Sequence, residues 1–266
     1  MYDVISSDNT KYTVNESHIL SLKCLKDCCF ENKGLLTNYK KYDVVDIEIK
    51  DFLKLPEKVK NILKGYRVPI YFEKKEVSVD PYIYGYLFSI ETNKNNISKK
   101  NSKLPLIFKC NSSTVRLNIL AAVIDVWGCT ESFSYIIEIK NSIFAEEIEF
   151  ISRSLGFIVE KKFIKDEINS NYNCYEIIIK SSVLCSINSI PVKIIRKVYD
   201  THKIVYRTLN NSIKVIKKEV DEYFGFEIDG NRRFLLGDCT VTHNTVMGLN
   251  IISKLKKKTL IIVHKE

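Results

Sequence analysis

Tryptophan occurs once in this 266-residue chain, methionine twice, histidine four times, proline five times and glycine nine times. So little glycine and proline excludes a collagen-like or linker-like polypeptide. No stretch approaches the ~20 uncharged apolar residues that a membrane-spanning helix needs. The longest apolar runs, such as Leu260 to Val263, are strand-sized. The opening Met1-Tyr2-Asp3-Val4 has no basic region followed by an apolar one, so no secretory leader is expected. None of the eight cysteines stands in a C-x-x-C pair; they are Cys24, Cys28, Cys29, Cys110, Cys129, Cys174, Cys185 and Cys239. Only the first three cluster, and His18 is a poor fourth ligand for a zinc ion there. Reduced, mostly structural thiols in an intracellular protein are therefore expected.

What is present is enough for a packed core. Hydrophobic residues make up 45% and charged residues 27%, which excludes wholesale disorder. At about 150 residues per domain, the length fits two domains or one domain with an insertion. The net charge of +9 permits contact with nucleic acid. The lysine pairs at 40–41, 74–75, 99–100, 161–162 and 217–218 are nevertheless spread along the chain, as on an ordinary solvated surface. At most a weak DNA affinity follows.

The first residues alternate apolar and polar, with Tyr2, Val4, Tyr12 and Val14 in short period-two runs broken at Ser6–Asn9. This pattern predicts a hairpin. Strands are predicted from Ile19 and over Val44–Ile49. A helix is predicted from Asp51 to Leu63, ended by Gly65. Tyr82–Glu91 and Val115–Val126 are apolar nearly all round and predict two buried helices. Between them Thr92–Lys103 reads as loop. Phe133–Lys140, Phe157–Phe163 and Cys174–Lys180 predict strands. Ile143–Leu155, closed by Gly156, predicts an amphipathic helix. Short β-type runs return over Lys193–Asp238, with turn signals at Asn210-Asn211 and Asp229-Gly230-Asn231. Thr245–Lys256 then reads as helix and Thr259–His264 as a buried strand. An order of β-rich, α/β, then β-rich again is best explained by one fold interrupted by another.

Residues 238–245 read Asp-Cys-Thr-Val-Thr-His-Asn-Thr. A His-Asn pair before a hydroxyl residue is by itself a common tripeptide. The longer block from Tyr223 to Asn244, with Phe-Glu-Ile-Asp-Gly-Asn-Arg-Arg-Phe-Leu-Leu-Gly at its centre, resembles the C-terminal end of an intein. Tyr12-Thr-Val-Asn-Glu-Ser-His18-Ile-Leu-Ser-Leu-Lys23 resembles the internal histidine block of the same family. The resemblance implies a Hint domain and a self-splicing activity. An Asn side-chain amide can attack its own backbone carbonyl, close a succinimide and cut the chain after Asn244. Nucleophile and carbonyl share one residue, and such intramolecular geometry can lower a barrier by ~7–11 kcal/mol. His243 is the natural proton donor to the leaving amine, because an imidazole exchanges protons near neutrality. Thr245 offers a hydroxyl as acyl acceptor. His18 would polarise the amide at the upstream junction.

Two positions depart from the family pattern. Asn15 stands where a Thr is usual, three residues before His18, and can still form hydrogen bonds. Arg232 replaces a His that usually stands two residues before Phe234, which removes one proton-transfer group. The first nucleophile of an intein, a Cys or Ser, has no counterpart ahead of the histidine block. The chain is therefore expected to cut at its C-terminal junction only, or to splice with a missing N-terminal piece supplied in trans. No cofactor is expected for this chemistry. Residues 245–266 resemble the early part of a superfamily-2 helicase, with Thr245 standing where the Mg²⁺-ligating hydroxyl of a phosphate-binding loop would fall.

Residues 78 to about 195 resemble a LAGLIDADG homing endonuclease. Asp80–Glu91 aligns with the first motif helix and Arg116–Gly128 with the second, where Gly85, Ala121 and Ala122 would let the helices cross closely. The family places a metal-holding acid directly before the terminal Gly of each motif. Those positions are Ile90 and Trp127 here. Asp125 is two residues early, about 200° round the helix, and Glu91 is one residue late. Cys129–Val192 supplies a strand, a helix and two more strands, whereas Thr92–Thr114 is too short for an equivalent half. The nuclease is expected to be degenerate, with Mg²⁺ relevant only to residual activity.

The expected fold class is thus α+β. A β-rich Hint horseshoe (1–75 and 196–244) is interrupted by a reduced α/β endonuclease-like domain (76–195) and followed by a host segment (245–266). The competing readings are a Mg²⁺-dependent site-specific DNA endonuclease and an inert relic.

Overall fold

The computed structural model describes residues 1–32, 34–92, 103–165, 173–194, 197, 207–221, 230–243 and 262–263. The chain divides into two compact units. Residues 1–68 with 210–266 form the first, and residues 69–209 form the second. The fold is mixed α+β, with several small antiparallel sheets. No helix among the described residues is long and apolar enough to cross a membrane.

The first unit opens with β1 (Tyr2–Ser6), β2 (Lys11–Val14), β3 (Ile19–Cys24), β4 (Cys28–Asn32), β5 (Leu35–Tyr39) and β6 (Val44–Glu48). Then come α1 (Ile49–Lys54), α2 (Glu57–Lys60) and β7 (Leu63–Tyr66). The second unit contributes α3 (Pro81–Thr92), α4 (Leu106–Lys109), α5 (Ser113–Trp127), β8 (Gly128–Glu131) and β9 (Ser134–Ile139). It continues with α6 (Ser142–Ser154), β10 (Ile158–Ile164) and β11 (Cys174–Lys180). Returning to the first unit, the chain forms β12 (Asn210–Asn211), β13 (Ile213–Lys217), β14 (Arg233–Leu235), β15 (Val241–His243) and β16 (Ile262–Val263).

In the first unit the predicted N-terminal hairpin is present, with β1 paired to β2 and also to β13. Its turn uses Asn9 at φ 66°, a left-handed conformation that asparagine tolerates. A second sheet has the order β12-β7-β3-β6. Its β3–β6 register sets Leu20 opposite Ile47 and Leu22 opposite Val45, all buried. Period-two alternation drives this pairing, because a slip of one residue would turn those four side chains to the opposite face. A third sheet has the order β15-β14-β16. Two expectations fail in this unit. The predicted helix over Asp51–Leu63 is broken into α1 and α2, with Leu55 extended at ψ 145° ahead of Pro56. Proline lacks the N–H that a helix would use and disfavours helical geometry in the residue before it. Leu63 then enters β7, and Gly65 lies inside that strand. Asn210-Asn211, read as a turn, instead pairs with Tyr66 and Gly65.

In the second unit α3, α5 and α6 accompany a sheet of order β10-β11-β9-β8. The region after the second apolar helix holds one strand more than predicted, because Gly128–Glu131 forms a hairpin with β9. Ser112 caps α5 and Asn141 caps α6, each accepting a hydrogen bond from the amide three residues on. Gly156, at φ 93°, ends α6 in the left-handed region as the sequence predicts. Helix α5 is buried over most of its length, including Ile119, Leu120 and Ile124. Helix α3 is not buried all round. Ile83, Tyr86 and Leu87 are exposed, while Gly85, Phe88 and Ser89 face inward.

Gly85 fixes how closely α3 and α5 approach. A Cβ at this position would lie 3.1 Å from Ala122 Cβ and 3.1 Å from the Ile119 backbone. Gly85→Leu is therefore expected to destabilise the protein by about 1–3 kcal/mol through overpacking. Urea unfolding measures this, and an unchanged midpoint would show that the helices separate freely.

Candidate active site

The first unit brings the residue before β3 against strand β15. His18 immediately precedes β3 and is fixed by main-chain hydrogen bonds on both sides. Its amide donates to Asn15 O at 3.3 Å, and its carbonyl accepts from the Ile49 amide at 2.9 Å. Its side chain is fully buried. His18 Nε2 lies 2.8 Å from Thr242 Oγ1, a contact between residues 224 apart in sequence. Nδ1 of the same ring is buried with no hydrogen-bond partner among the described residues. Burial, reinforced by the charge of nearby His243, drops the His18 pKa to about 3. The ring is therefore neutral in the folded protein.

Thr242 is the buried middle residue of β15. Tyr12, on β2, sets its ring edge-on to His18 with centroids 6.2 Å apart. Desolvation pushes the Tyr12 phenol well above its ordinary value; the Thr242 side chain opposes this, and the charge of Asp238 adds to it. His18 and Thr242 thus form a neutral hydrogen-bonded pair inside the unit, with the half-buried Tyr12 ring set against the imidazole.

A charged group lies beside it. Arg67 is buried and forks between two carboxylates, with Nη1 2.6 Å from Asp8 Oδ2 and Nη2 2.8 Å from Asp238 Oδ2. Nη2 also donates to Thr10 Oγ1 at 3.0 Å. Asp238 accepts from the Thr240 amide at 3.1 Å and the Thr240 hydroxyl at 2.8 Å. Burial works to raise the Asp238 pKa, but the Arg67 charge and these hydrogen bonds hold it below the usual carboxylate range. The arginine joins the β1–β2 turn to the loop that leads into β15. The register of β14 and β15 sets His243 opposite Arg233, whose Nη2 is anchored on Asp46 Oδ2 at 2.7 Å.

The sequence-predicted residues fall as follows. His18 meets Thr242, the neighbour of His243, and His243 is half-buried at the end of β15. Asn15 is half-buried and engages His18 through its main-chain carbonyl. Arg232 is exposed, with φ 57°. Asn244 and Thr245 lie outside the described residues. Sequence reasoning missed Thr242, Tyr12, Arg67 and Asp238 as parts of this arrangement. Thr242 and Tyr12 are in the quoted blocks, but nothing local distinguishes them from other strand residues.

The endonuclease-like positions lie in the second unit. Ile90 is half-buried and Glu91 exposed near the end of α3. Trp127 donates its indole N–H to Ser89 O at 2.9 Å. Asp125 is buried, and its carboxylate accepts from the Tyr82 hydroxyl at 2.7 Å, the Lys193 amide at 2.7 Å and the Ile194 amide at 3.1 Å. Those three donors make it a structural acid at a helix end. Among the described residues, no group of three or more His, Cys, Asp or Glu could hold a metal ion. The chain matches no family model, and no curated protein matches it.

Proposed function

We propose that this chain is an autocatalytic element that breaks its own backbone between Asn244 and Thr245. On this reading the first unit is a Hint-type domain and the second a reduced LAGLIDADG-type insertion. The observation that carries the reading is the hydrogen bond of His18 to Thr242, two residues ahead of Asn244. It ties the histidine block to the strand that ends at His243, and that strand is held in register by β14. In the reaction the Asn244 side-chain nitrogen gives up one proton to solvent as it bonds to its own carbonyl carbon. The C–N bond to Thr245 breaks, and His243 supplies the proton to the departing amine. Thr245 is the acyl acceptor when an upstream chain is presented. Residues 245–266 begin a helicase-like host segment.

The reading is tested by mass spectrometry of the expressed chain under denaturing conditions. Denaturation is needed because Ile262 and Val263 pair with β14, so a released fragment is expected to stay docked. The expected products are a 245–266 fragment with a free threonine amine and a 1–244 fragment one water lighter than a hydrolytic product. Asn244→Ala abolishes both. His243→Ala slows their appearance ~10²–10⁴-fold. A chain that stays intact, or a 1–244 fragment that bears a carboxylate from its first appearance and never passes through the dehydrated form, would overturn the proposal. The engagement of Asp125 by three donors gives metal-dependent DNA cleavage no comparable support.

A further inference from the structure

The end of β3 and the start of β4 bring two thiols into contact. Cys24 Sγ and Cys28 Sγ are 3.2 Å apart, and Cys24 Sγ also lies 2.9 Å from Lys26 O. All eight cysteines are free thiols. Cys24 is fully buried, Cys28 is half-buried, and the adjacent Cys29 is exposed. A disulfide needs its sulfurs at about 2.05 Å, so closure requires an approach of roughly 1 Å across a three-residue turn. That distance is within reach of side-chain rotation, because each cysteine has one soft χ angle.

We propose that Cys24 and Cys28 form a redox-sensitive pair, closed to an intramolecular disulfide by hydrogen peroxide. The proposal is independent of the cleavage chemistry. The half-buried Cys28 is the sulfur an oxidant can meet, and the buried Cys24 is the resolving thiol. The Cys28 thiolate attacks the peroxide oxygen, the O–O bond breaks, and water leaves as Cys28 becomes a sulfenic acid. Cys24 then attacks the Cys28 sulfur, the S–O bond breaks, and a second water leaves. Overall two thiols lose two electrons and two protons, and one peroxide becomes two waters. Burial, with Cys24 as neighbour, pushes the Cys28 thiol up to about 12. Little thiolate is then present at neutral pH, so the first step is slow and rises with pH. The device responds to sustained oxidant, not to a brief pulse.

The sequence supplies a direct assay. Trypsin cuts after Lys26, so the two cysteines fall in different peptides, 24–26 and 27–33. The folded full chain is treated with hydrogen peroxide, its remaining thiols are blocked, and it is digested without reductant. The expected result is a linked 24–26/27–33 peptide, two hydrogens lighter than its parts and separated by reductant. It should exceed any other cysteine pair by ~10-fold in the folded protein, since proximity favours it. It should lose that preference when the protein is first unfolded in urea. Cys29→Ser retains the link and Cys28→Ser abolishes it. A link that survives Cys28→Ser through Cys29 would overturn the proposal. So would a wild-type chain that accumulates oxidised Cys28 while Cys24 stays free.

Discussion

Arg67→Ala is expected to destabilise the first unit by about 3–5 kcal/mol, the range for breaking a buried ion pair by removing one partner. Arg67 is 9% exposed, and its two carboxylate partners are nearly as enclosed, so solvent cannot replace it. The variant leaves Asp8 and Asp238 facing each other without the cation that lies between them. Their mutual repulsion adds to the loss of hydrogen bonds to Thr10 and both acids. Arg67→Lys keeps the charge but not the fork, and should recover only part of the loss. Adding Asp238→Asn to Arg67→Ala should recover part of it too, because one stranded charge is removed. Urea unfolding of the three variants tests this. A loss below about 1 kcal/mol for Arg67→Ala would mean that the pair behaves as a surface ion pair. Because Arg67 joins the β1–β2 turn to the loop before β15, its removal should also loosen the strand that ends at His243.

Acid should weaken the first unit well before its carboxylates titrate. His18 is neutral when folded, with a pKa of about 3, against an ordinary value of about 6.5 when the chain is unfolded. Its folded pKa is depressed, so the unfolded state binds the proton first. The stability His18 contributes is complete above about pH 6.5 and is lost as pH falls from there towards 3. Each pH unit costs about 1.4 kcal/mol once below the unfolded pKa, so the full loss is on the order of 4–5 kcal/mol. Asp3, Asp27 and Asp238 also have lowered pKa values, and their contributions fade as pH falls through the usual carboxylate range and below it. The interval from pH 6.5 to 4.5 lies above most of that carboxylate loss, and the comparison with His18→Gln isolates the histidine. Urea midpoints measured across that interval should fall for the wild type and stay nearly flat for His18→Gln. A flat wild-type profile would show that the imidazole reaches water.

The strands and helices were readable where a local period or a local stop signal governs them. The alternation at Tyr2, Val4, Tyr12 and Val14 makes a hairpin because each apolar side chain reaches the same face of a short sheet. Helix α6 begins at a capping Asn141 and ends at Gly156 because those residues satisfy the ends locally. The apolar spacing over Asp51–Leu63 predicts one helix, but the single Pro56 breaks it in two. The apolar composition of Tyr82–Glu91 predicts a buried helix, yet α3 buries one face only, because composition alone cannot say how many partners a helix has.

The arrangement around His18 was legible only in part. The sequence by itself determined that an Asn244-Thr245 bond follows a histidine and that a second histidine lies in an early strand-forming block. Only the tertiary structure decided that His18 meets Thr242, that the Tyr12 ring stands edge-on to that imidazole, and that Arg67 bridges Asp8 and Asp238. It likewise decided that Asp125 is taken up by Tyr82 and two backbone amides. The physical reason is separation along the chain. A period or a cap is set by neighbours within a few residues, whereas a contact across 224 residues depends on how every intervening sheet registers and closes.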